Sequence, residues 1–328
     1  MTWSSWSSWA KGGIIAGVDL PDFPDLSPER LAAVLTALGL TGAPVVRLAE
    51  VGIFNAIFAV RDDLVLRVPR QHPAFVEASR KEALAVPAAR SAGVRTPRLV
   101  AFDDTLEVLP VPYSLYERVP GGVLEAAEAE PTAAAEVYRE LGRDLGRLHG
   151  GVERSGALAE FELEGLPEPD QGPEELVDSG HLGRSEQRWL SAWVARLKAR
   201  IAAGPERPDV FRHGDVQATN VMVSDGHGYL ALLDWGACGW GDPAHDFAGV
   251  PFAGAPAMLA GYREERDLPA DGSIEAAIVL RELQIALFLL RRPGQPGRSW
   301  AERPLGMMLD LLHGLAHATD ATFAALRP

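Results

Sequence analysis

The sequence predicts an α+β fold in which a small strand-rich part is followed by a larger, mainly helical part. Short runs rich in branched residues alternate with turn residues in the first third of the chain, which is typical of a sheet. Longer stretches with apolar residues at helical spacing dominate the rest. The predicted strands cover 45–48, 53–60, 64–68, 96–102 and 113–119. The predicted helices cover 28–38, 75–91, 131–148, 187–203, 274–291 and 304–325.

Capping residues support the boundaries of the first two helices. Ser27 and Pro28 are typical of a helix start, with serine as the N-cap and proline at the first helical position. Gly39 and Gly93 suit the ends of the two helices, because glycine adopts the left-handed conformation that closes many helices.

The composition excludes several classes of protein. The 328 residues are 47% hydrophobic, enough to bury a core in one large or two modest domains. No apolar run approaches the roughly 18 residues that a membrane helix needs, and the N-terminus lacks the basic and apolar segments of a secretory signal. The formal net charge of −14 argues against nucleic acid as a partner, and it suits a cationic substrate.

The single cysteine, Cys238, excludes an internal disulfide and is typical of a protein in the reducing cytoplasm. It lies between Gly236 and Gly239, which favours a small packed thiol over a nucleophile. We therefore expect a cytoplasmic location.

The stretch from 211 to 235 contains the strongest chemical pattern. His213-Gly-Asp215 is followed by Asn220 in the same loop, and Asp234 ends the apolar run after it. Phosphoryl transfer needs an aligned nucleophile and magnesium, a hard cation that takes one or two protein oxygen ligands beside phosphate oxygens. One Asp as base, with one Asn and one Asp as metal ligands, meets that need. Asp, Asn and Gly also favour ordinary surface turns, but the combination in this order favours catalysis.

These residues, together with Leu233-Asp-Trp235 and the run from Trp240 to Asp246, resemble the aminoglycoside phosphotransferase family, which includes macrolide kinases. The resemblance is sharp over about 211–250 and diffuse but collinear over about 45–325. It implies a two-lobed, protein-kinase-like α+β fold, with a small antiparallel-sheet N-lobe and a larger helical C-lobe. The implied division is a leader at 1–25, a nucleotide-binding N-lobe at 26–119 and a catalytic C-lobe at 120–328.

The resemblance also implies roles for the polar residues. Asp215 orients the acceptor hydroxyl and can take its proton, while Asn220 and Asp234 hold Mg²⁺. Arg67 occupies the strand position where the family generally has the phosphate-pairing lysine, and Glu82 orients it. Arginine binds phosphate oxygens but is not equivalent to lysine; the alternatives are an exposed strand cation and a solvated helix glutamate.

The nucleotide contacts are expected at two further places. The turn containing Gly52 and Asn55 would bring backbone N–H groups to the phosphates. The strand that runs into Pro120-Gly-Gly122 resembles the hinge between lobes, where backbone groups of Tyr116, Glu117 and Val119 would bind the base of ATP or GTP.

Other residues are assigned structural roles or have more than one possible role. Asp242 and Asp246 match acids that brace the catalytic loop in the family, and His149 is interpreted as a helix-end cation suited to the helix dipole. The acidic region 153–178 is either a solvated loop or a site for a cationic substrate. Trp3, Trp6 and Trp9 are interpreted as one face of a docked N-terminal segment.

The expected function is the transfer of the γ-phosphoryl group from ATP or GTP to a hydroxyl of a small molecule. The expected acceptor is an antibiotic, either an aminoglycoside, another cationic antibiotic or a macrolide, which would make the protein a resistance enzyme. The alternatives are a metabolic kinase for a sugar, choline-like alcohol or amino alcohol, and a nucleotide-binding protein without catalysis. A monomer or a homodimer is expected.

Overall fold

The structure is a computed structural model that describes residues 20–48, 54–124, 131–161, 171–225, 228–290 and 305–328. Gly52, the tryptophans of the leader and the loop at 291–298 lie outside these residues. Among the described residues, no helix combines the length and the apolar character needed to cross a membrane.

A five-stranded antiparallel sheet forms the N-terminal part, in the order β1-β2-β3-β5-β4. Its strands are β1 (Val45–Arg47), β2 (Asn55–Val60), β3 (Leu64–Pro69), β4 (Leu99–Asp103) and β5 (Tyr113–Glu117). Alternate residues of β2 are buried, as expected of a strand with one face toward a core. That face packs against Leu31, Val34 and Leu35 of helix α1 (Pro28–Ala37).

The starts and ends of the first helices agree in part with the sequence prediction. Ser27 is at the N-cap position, but its side chain makes no cap hydrogen bond and contacts Asp25 instead. Helix α2 spans Pro73–Ser91. Gly39 and Gly93 follow the two helices with φ of +73° and +88°, so both glycines close their helices in the left-handed conformation as predicted.

The rest of the chain is mainly helical, as predicted. Its helices are α3 (Pro131–Gly151), α4 (Gln171–Asp178), α5 (Arg184–Ala203), α6 (Ala255–Glu265), α7 (Ser273–Leu289), α8 (Gly306–Ala316) and α9 (Ala321–Ala324). Two short sheets complete it, one with the order β6-β8-β9 and one that pairs β7 with β10. These strands are β6 (Gly122–Val123), β7 (Val210–Arg212), β8 (Val221–Val223), β9 (Tyr229–Leu232) and β10 (Gly239–Gly241).

One helix prediction was wrong, and two helices were not predicted. The helix predicted at 304–325 is two helices, because Asp320 accepts hydrogen bonds from the N–H groups of Thr322 and Phe323 and so caps a new helix. The acidic region 153–178 contains a 3₁₀ turn at Gly156–Glu160 and helix α4. Helix α6 was missed, because its proline and glycine obscure the helical pattern.

We propose that the two lobes divide near residue 119, as the sequence suggested. Strand β5 belongs to the N-terminal sheet and ends at Glu117, whereas β6 begins at Gly122 and pairs with β8 of the helical part. The N-terminal sheet also has its own hydrophobic core, formed with α1.

Helices α3 and α6 approach each other closely at two glycines. A Cβ on Gly142 would lie 1.9 Å from the carbonyl oxygen of Met258, and one on Gly261 would lie 1.9 Å from that of Arg139. Because the obstacles are backbone atoms, no side-chain rotation can relieve them. The two glycines therefore set the distance between the helices that carry His149 and Tyr262.

We predict that Gly142→Ala lowers the free energy of unfolding by roughly 2 kcal/mol or more, because α3 and α6 must separate. Gly150→Ala in the same helix is the control, since its Cβ would meet only the flexible guanidinium of Arg266. Urea unfolding of both variants is the measurement. Equal stability of the two variants would contradict the proposed close approach.

Candidate active site

The catalytic loop lies between β7 and β8, and hydrogen bonds fix the carboxylate of Asp215 within it. Gln217 Nε2 donates to Asp215 Oδ1, and Asn220 Nδ2 donates to Asp215 Oδ2 at 3.0 Å. Asn220 Nδ2 also donates to the Asp215 carbonyl at 2.9 Å. Asn220 thus uses its amide nitrogen on Asp215, and these bonds leave its amide oxygen available for a cation.

The backbone of the loop is held by Asp246. Its Oδ2 accepts the N–H of His213 at 2.7 Å, and its Oδ1 accepts the N–H of Gly214 at 2.8 Å. Asp246 is fully buried. Burial opposes ionisation, but the hydrogen bond from His149 and the positive charge of Arg212 lower the pKa of Asp246 to about 2. A buried carboxylate therefore fixes the start of the loop.

His149 supports Asp246 from the opposite side. Its Nε2 lies 3.1 Å from Asp246 Oδ2, and its Nδ1 lies 3.1 Å from the Tyr262 hydroxyl. His149 lies in the last turn of α3 as predicted, but burial lowers the pKa of its ring, which favours the neutral form over the expected cation. Instead, the neutral ring donates from Nε2 to Asp246 and accepts from the tyrosine hydroxyl.

Asp242 does not contact the catalytic loop. It pairs with Arg207 at 2.7 Å and accepts the N–H of Ala244 at 2.8 Å. The segment after Gly241 forms a short 3₁₀ helix, Pro243–Phe247. Asp242 caps this 3₁₀ helix, and Asp246 within it contacts the loop.

Asp234 follows β9 and lies beside Asp215. Its φ is +65°, a left-handed conformation that aspartate tolerates better than most residues. The N–H of Leu233 donates to the carbonyl of Asn220 at 2.8 Å, which ties this segment to the catalytic loop. Burial and the charge of Asp234 raise the pKa of Asp215. The side chain of Asp234 is 45% exposed, so its carboxylate remains accessible from solvent.

Arg67 connects the N-terminal sheet to both α2 and Asp234. Its Nη1 lies 2.5 Å from Glu82 Oε1, and its Nη2 lies 3.5 Å from Asp234 Oδ1. Although burial opposes it, the charges of Glu82 and Asp234 raise the pKa of Arg67. Arg67 is therefore a buried cation directed toward the carboxylate of Asp234.

Of the other residues predicted to contact the nucleotide, only some lie near Arg67. The Tyr116 ring lies 5.9 Å from the Arg67 guanidinium carbon. The N–H of Glu117 donates to the Arg98 carbonyl at 2.9 Å, so this group is not free for a base. Val119 lies beyond β5, and no described residue accepts its N–H. Asn55 begins β2 opposite Pro69.

The oxygen atoms at the site fit magnesium. Asn220 offers an amide oxygen and Asp234 a carboxylate, which are the hard ligands that this ion prefers. Among the described residues there is no group of three or more His, Cys, Asp or Glu side chains that could hold a metal. The donor set therefore fits an ion that takes its other ligands from water and phosphate.

The contact of Gln217 with Asp215 was not predicted from the sequence, although a polar residue two positions after Asp215 is a weak signal for it.

Cys238 is fully buried, and burial raises the pKa of its thiol to about 12. The cysteine is therefore a packed thiol, as predicted.

Comparison with known proteins identifies the family. The model of the phosphotransferase enzyme family, abbreviated APH, matches residues 45–284. The chain belongs to this family. No curated protein sequence matches it.

The chain also resembles solved kinases. It shares 17% identity and a TM-score of 0.62 with wild-type aminoglycoside 2'-phosphotransferase-IIIa in complex with GDP, covering 88% of this chain and 100% of that one. It shares 20% identity and a TM-score of 0.59 with a choline/ethanolamine kinase family protein from Mesorhizobium loti, covering 91% and 98%. Macrolide 2'-phosphotransferase MphH from Brachybacterium faecium gives 20% identity, a TM-score of 0.53 and coverage of 91% and 96%.

These comparisons confirm the predicted family and the kinase-like, two-lobed fold. The protein is a small-molecule phosphotransferase, and the alternative of a binding protein without catalysis is not supported.

We predict that Asp246→Asn destabilises the protein in a pH-dependent way. The pKa of Asp246 is lower in the folded chain, so its ionised form stabilises the fold above about pH 4, and this contribution is lost as the pH falls toward 2. The contribution is roughly 2 kcal/mol. Urea unfolding from pH 3 to pH 7 should show that the difference in unfolding free energy between wild type and variant becomes smaller below pH 4. A difference that does not change with pH would contradict the prediction.

Proposed function

We propose that the protein transfers the γ-phosphoryl group of ATP or GTP to a hydroxyl of a small molecule. The observation that carries the proposal is the convergence of Asp215, Asn220, Asp234 and Arg67 around one cleft. The group contains an oriented carboxylate, two oxygen ligands and a buried cation, which are the parts that phosphoryl transfer requires.

Asp215 is the residue proposed to align the acceptor. Its oxygens already accept hydrogen bonds from Gln217 and Asn220, so the carboxylate is held in one orientation before substrate binds. The acceptor hydroxyl would donate to this carboxylate, which then takes its proton as the phosphoryl group arrives. Burial and the charge of Asp234 raise the pKa of Asp215, which favours proton acceptance.

Asn220 and Asp234 would hold magnesium, which when bound neutralises charge on the transferred phosphoryl group. Arg67, oriented by Glu82, would bind the α- and β-phosphates. Gly52 and Asn55 are proposed to approach the phosphates, and Val119, with the backbone carbonyls of Tyr116 and Glu117, is proposed to bind the base. Similar structures are complexes with GDP, ADP and ATP, which supports either purine nucleotide as the phosphoryl donor.

An antibiotic is the proposed acceptor, and resistance is the proposed consequence. Similar structures are named as aminoglycoside and macrolide phosphotransferases, and the net charge of −14 favours a cationic acceptor. The second candidate is an amino alcohol, because a choline/ethanolamine kinase family protein shares the fold at comparable similarity. A cytoplasmic location, and a monomer or homodimer without nucleic acid or membrane partners, completes the proposal.

The test is magnesium-dependent release of ADP or GDP in the presence of aminoglycosides, cationic peptide antibiotics, macrolides and amino alcohols in turn. Stimulation by one antibiotic class would support the first proposal and identify the acceptor. Stimulation by amino alcohols alone would favour the second candidate. Nucleotide binding without stimulation by any compound would contradict both.

We predict that Asp215→Asn lowers kcat by at least about a hundredfold, because the amide cannot accept the hydroxyl proton. Nucleotide affinity should stay within about threefold, since Asp215 is assigned to the acceptor. Asp209→Asn, an exposed aspartate before β7, is the matched control and should keep full activity. Steady-state kinetics and nucleotide titration give the two readouts, and retained turnover would contradict the role of Asp215.

We predict that Arg67→Met raises the KM for nucleotide by about tenfold or more, because a charge-assisted contact to phosphate is lost. Arg67→Lys should restore part of the affinity, since lysine keeps the charge but not the planar guanidinium. Arg61→Met in the turn before β3 is the control, because Arg61 pairs only with exposed Asp63. Unchanged nucleotide KM in Arg67→Met would show that Arg67 does not bind phosphate.

A further inference from the structure

A cavity lies in the helical lobe, between helix α5 and the residues in and around α9. Its volume is about 460 Å³, within the range of small-molecule sites. Three residues form an apolar floor and three arginines surround it. These are Trp193, Leu197 and Leu326 for the floor, and Arg196, Arg200 and Arg327 for the rim.

The floor of the cavity is rigid and apolar. Trp193 and Leu197 are 1% exposed and Leu326 is 8% exposed. The indole Nε1–H of Trp193 donates to the Leu326 carbonyl at 2.9 Å, which satisfies the polar group of the ring. These side chains therefore form a packed apolar layer beneath the cavity, built from α5 and the C-terminal segment.

The three arginines are held by backbone carbonyls. Arg196 donates to the Arg327 carbonyl at 2.9 Å, Arg327 donates to the Leu315 carbonyl at 2.9 Å, and Arg200 donates to the Asp271 carbonyl. Each of these hydrogen bonds uses one N–H of a guanidinium that has five. The arginines are therefore oriented, and among the described residues most of their donors have no partner.

Within the part of the chain that the structure describes, no ion pair neutralises the charge of the three arginines. No carboxylate of the described chain lies within 4.0 Å of any of them. Asp271 is close enough to interact with the charge of Arg200, and its carboxylate accepts a hydrogen bond from the Ser273 backbone. Three unpaired guanidinium groups are notable in a chain of net charge −14.

We propose that this cavity binds a small organic anion, with an oxyanion group on an apolar body. The guanidinium groups would bind the oxyanion, for which their planar donor pairs are suited. The apolar body would lie against the exposed methyl groups of Ala321 and Ala325, above the packed layer of Trp193 and Leu197. The lining includes none of the active-site residues, so the site binds independently of nucleotide and is additional to the phosphotransferase activity.

The test uses anilinonaphthalene sulfonate, a fluorescent anion with an apolar body, and phenylnaphthylamine, its uncharged counterpart. The full chain is first saturated with magnesium ADP, so that probe bound in the nucleotide cleft is displaced. We expect saturable binding of the sulfonate near one equivalent, tighter than binding of the amine. Absence of saturable sulfonate binding, or equal affinity for both probes, would overturn the proposal.

Three variants locate the site. Arg200→Met should weaken sulfonate binding about tenfold while leaving the affinity for the amine within about twofold, because one charged contact is lost. Ala325→Trp should fill the cavity and weaken both probes. Arg188→Met, an exposed arginine of α5 outside the lining, is the control and should bind like wild type.

Both substituted cavity positions are exposed, so the fold should survive; far-ultraviolet circular dichroism and kcat check this point. If Arg200→Met and Ala325→Trp bind the sulfonate like Arg188→Met, the probe lies elsewhere and the proposal is wrong.

Discussion

The geometry of the active site depends on a buried carboxylate that binds two successive backbone N–H groups. Asp246 accepts from His213 and Gly214, and this contact fixes where the catalytic loop begins. His149 and Tyr262 extend the contact into α3 and α6, the helices that approach each other at Gly142 and Gly261. The position of Asp215 is thus set by packing well away from the cleft.

Arg67 makes a similar connection between the two lobes. It lies on a strand of the N-terminal sheet, yet its guanidinium reaches Asp234, which follows a strand of the helical lobe. Glu82 of α2 holds it from the other side. The Arg67–Asp234 ion pair therefore links the orientation of the two lobes to the carboxylate that is proposed to hold magnesium. Nucleotide binding would have to reorganise this ion pair.

The sequence predicted the fold and the family correctly, because hydrophobic period and motif spacing are local properties. The same motif spacing is the basis of the roles proposed for Asp215, Asn220 and Asp234, which stay predictions. The neutral state of His149 was not predicted, because it depends on Tyr262 and Asp246, which are distant in sequence. Gln217 was missed because its partner is recognisable only once the loop is folded. The break between α8 and α9 was missed because capping by Asp320 competes with a continuous apolar pattern.

Because Cys238 is buried, the rate at which its thiol reacts reports on local unfolding of the protein. The chain has one thiol, it is fully buried, and burial raises its pKa to about 12, so the folded state should resist alkylation at neutral pH. Cys238 follows Asp234 closely and precedes β10, which pairs with the strand leading into the catalytic loop. The rate of its modification would therefore measure how often this part of the molecule unfolds. Cysteines placed on the surface could be labelled selectively without first removing the native one.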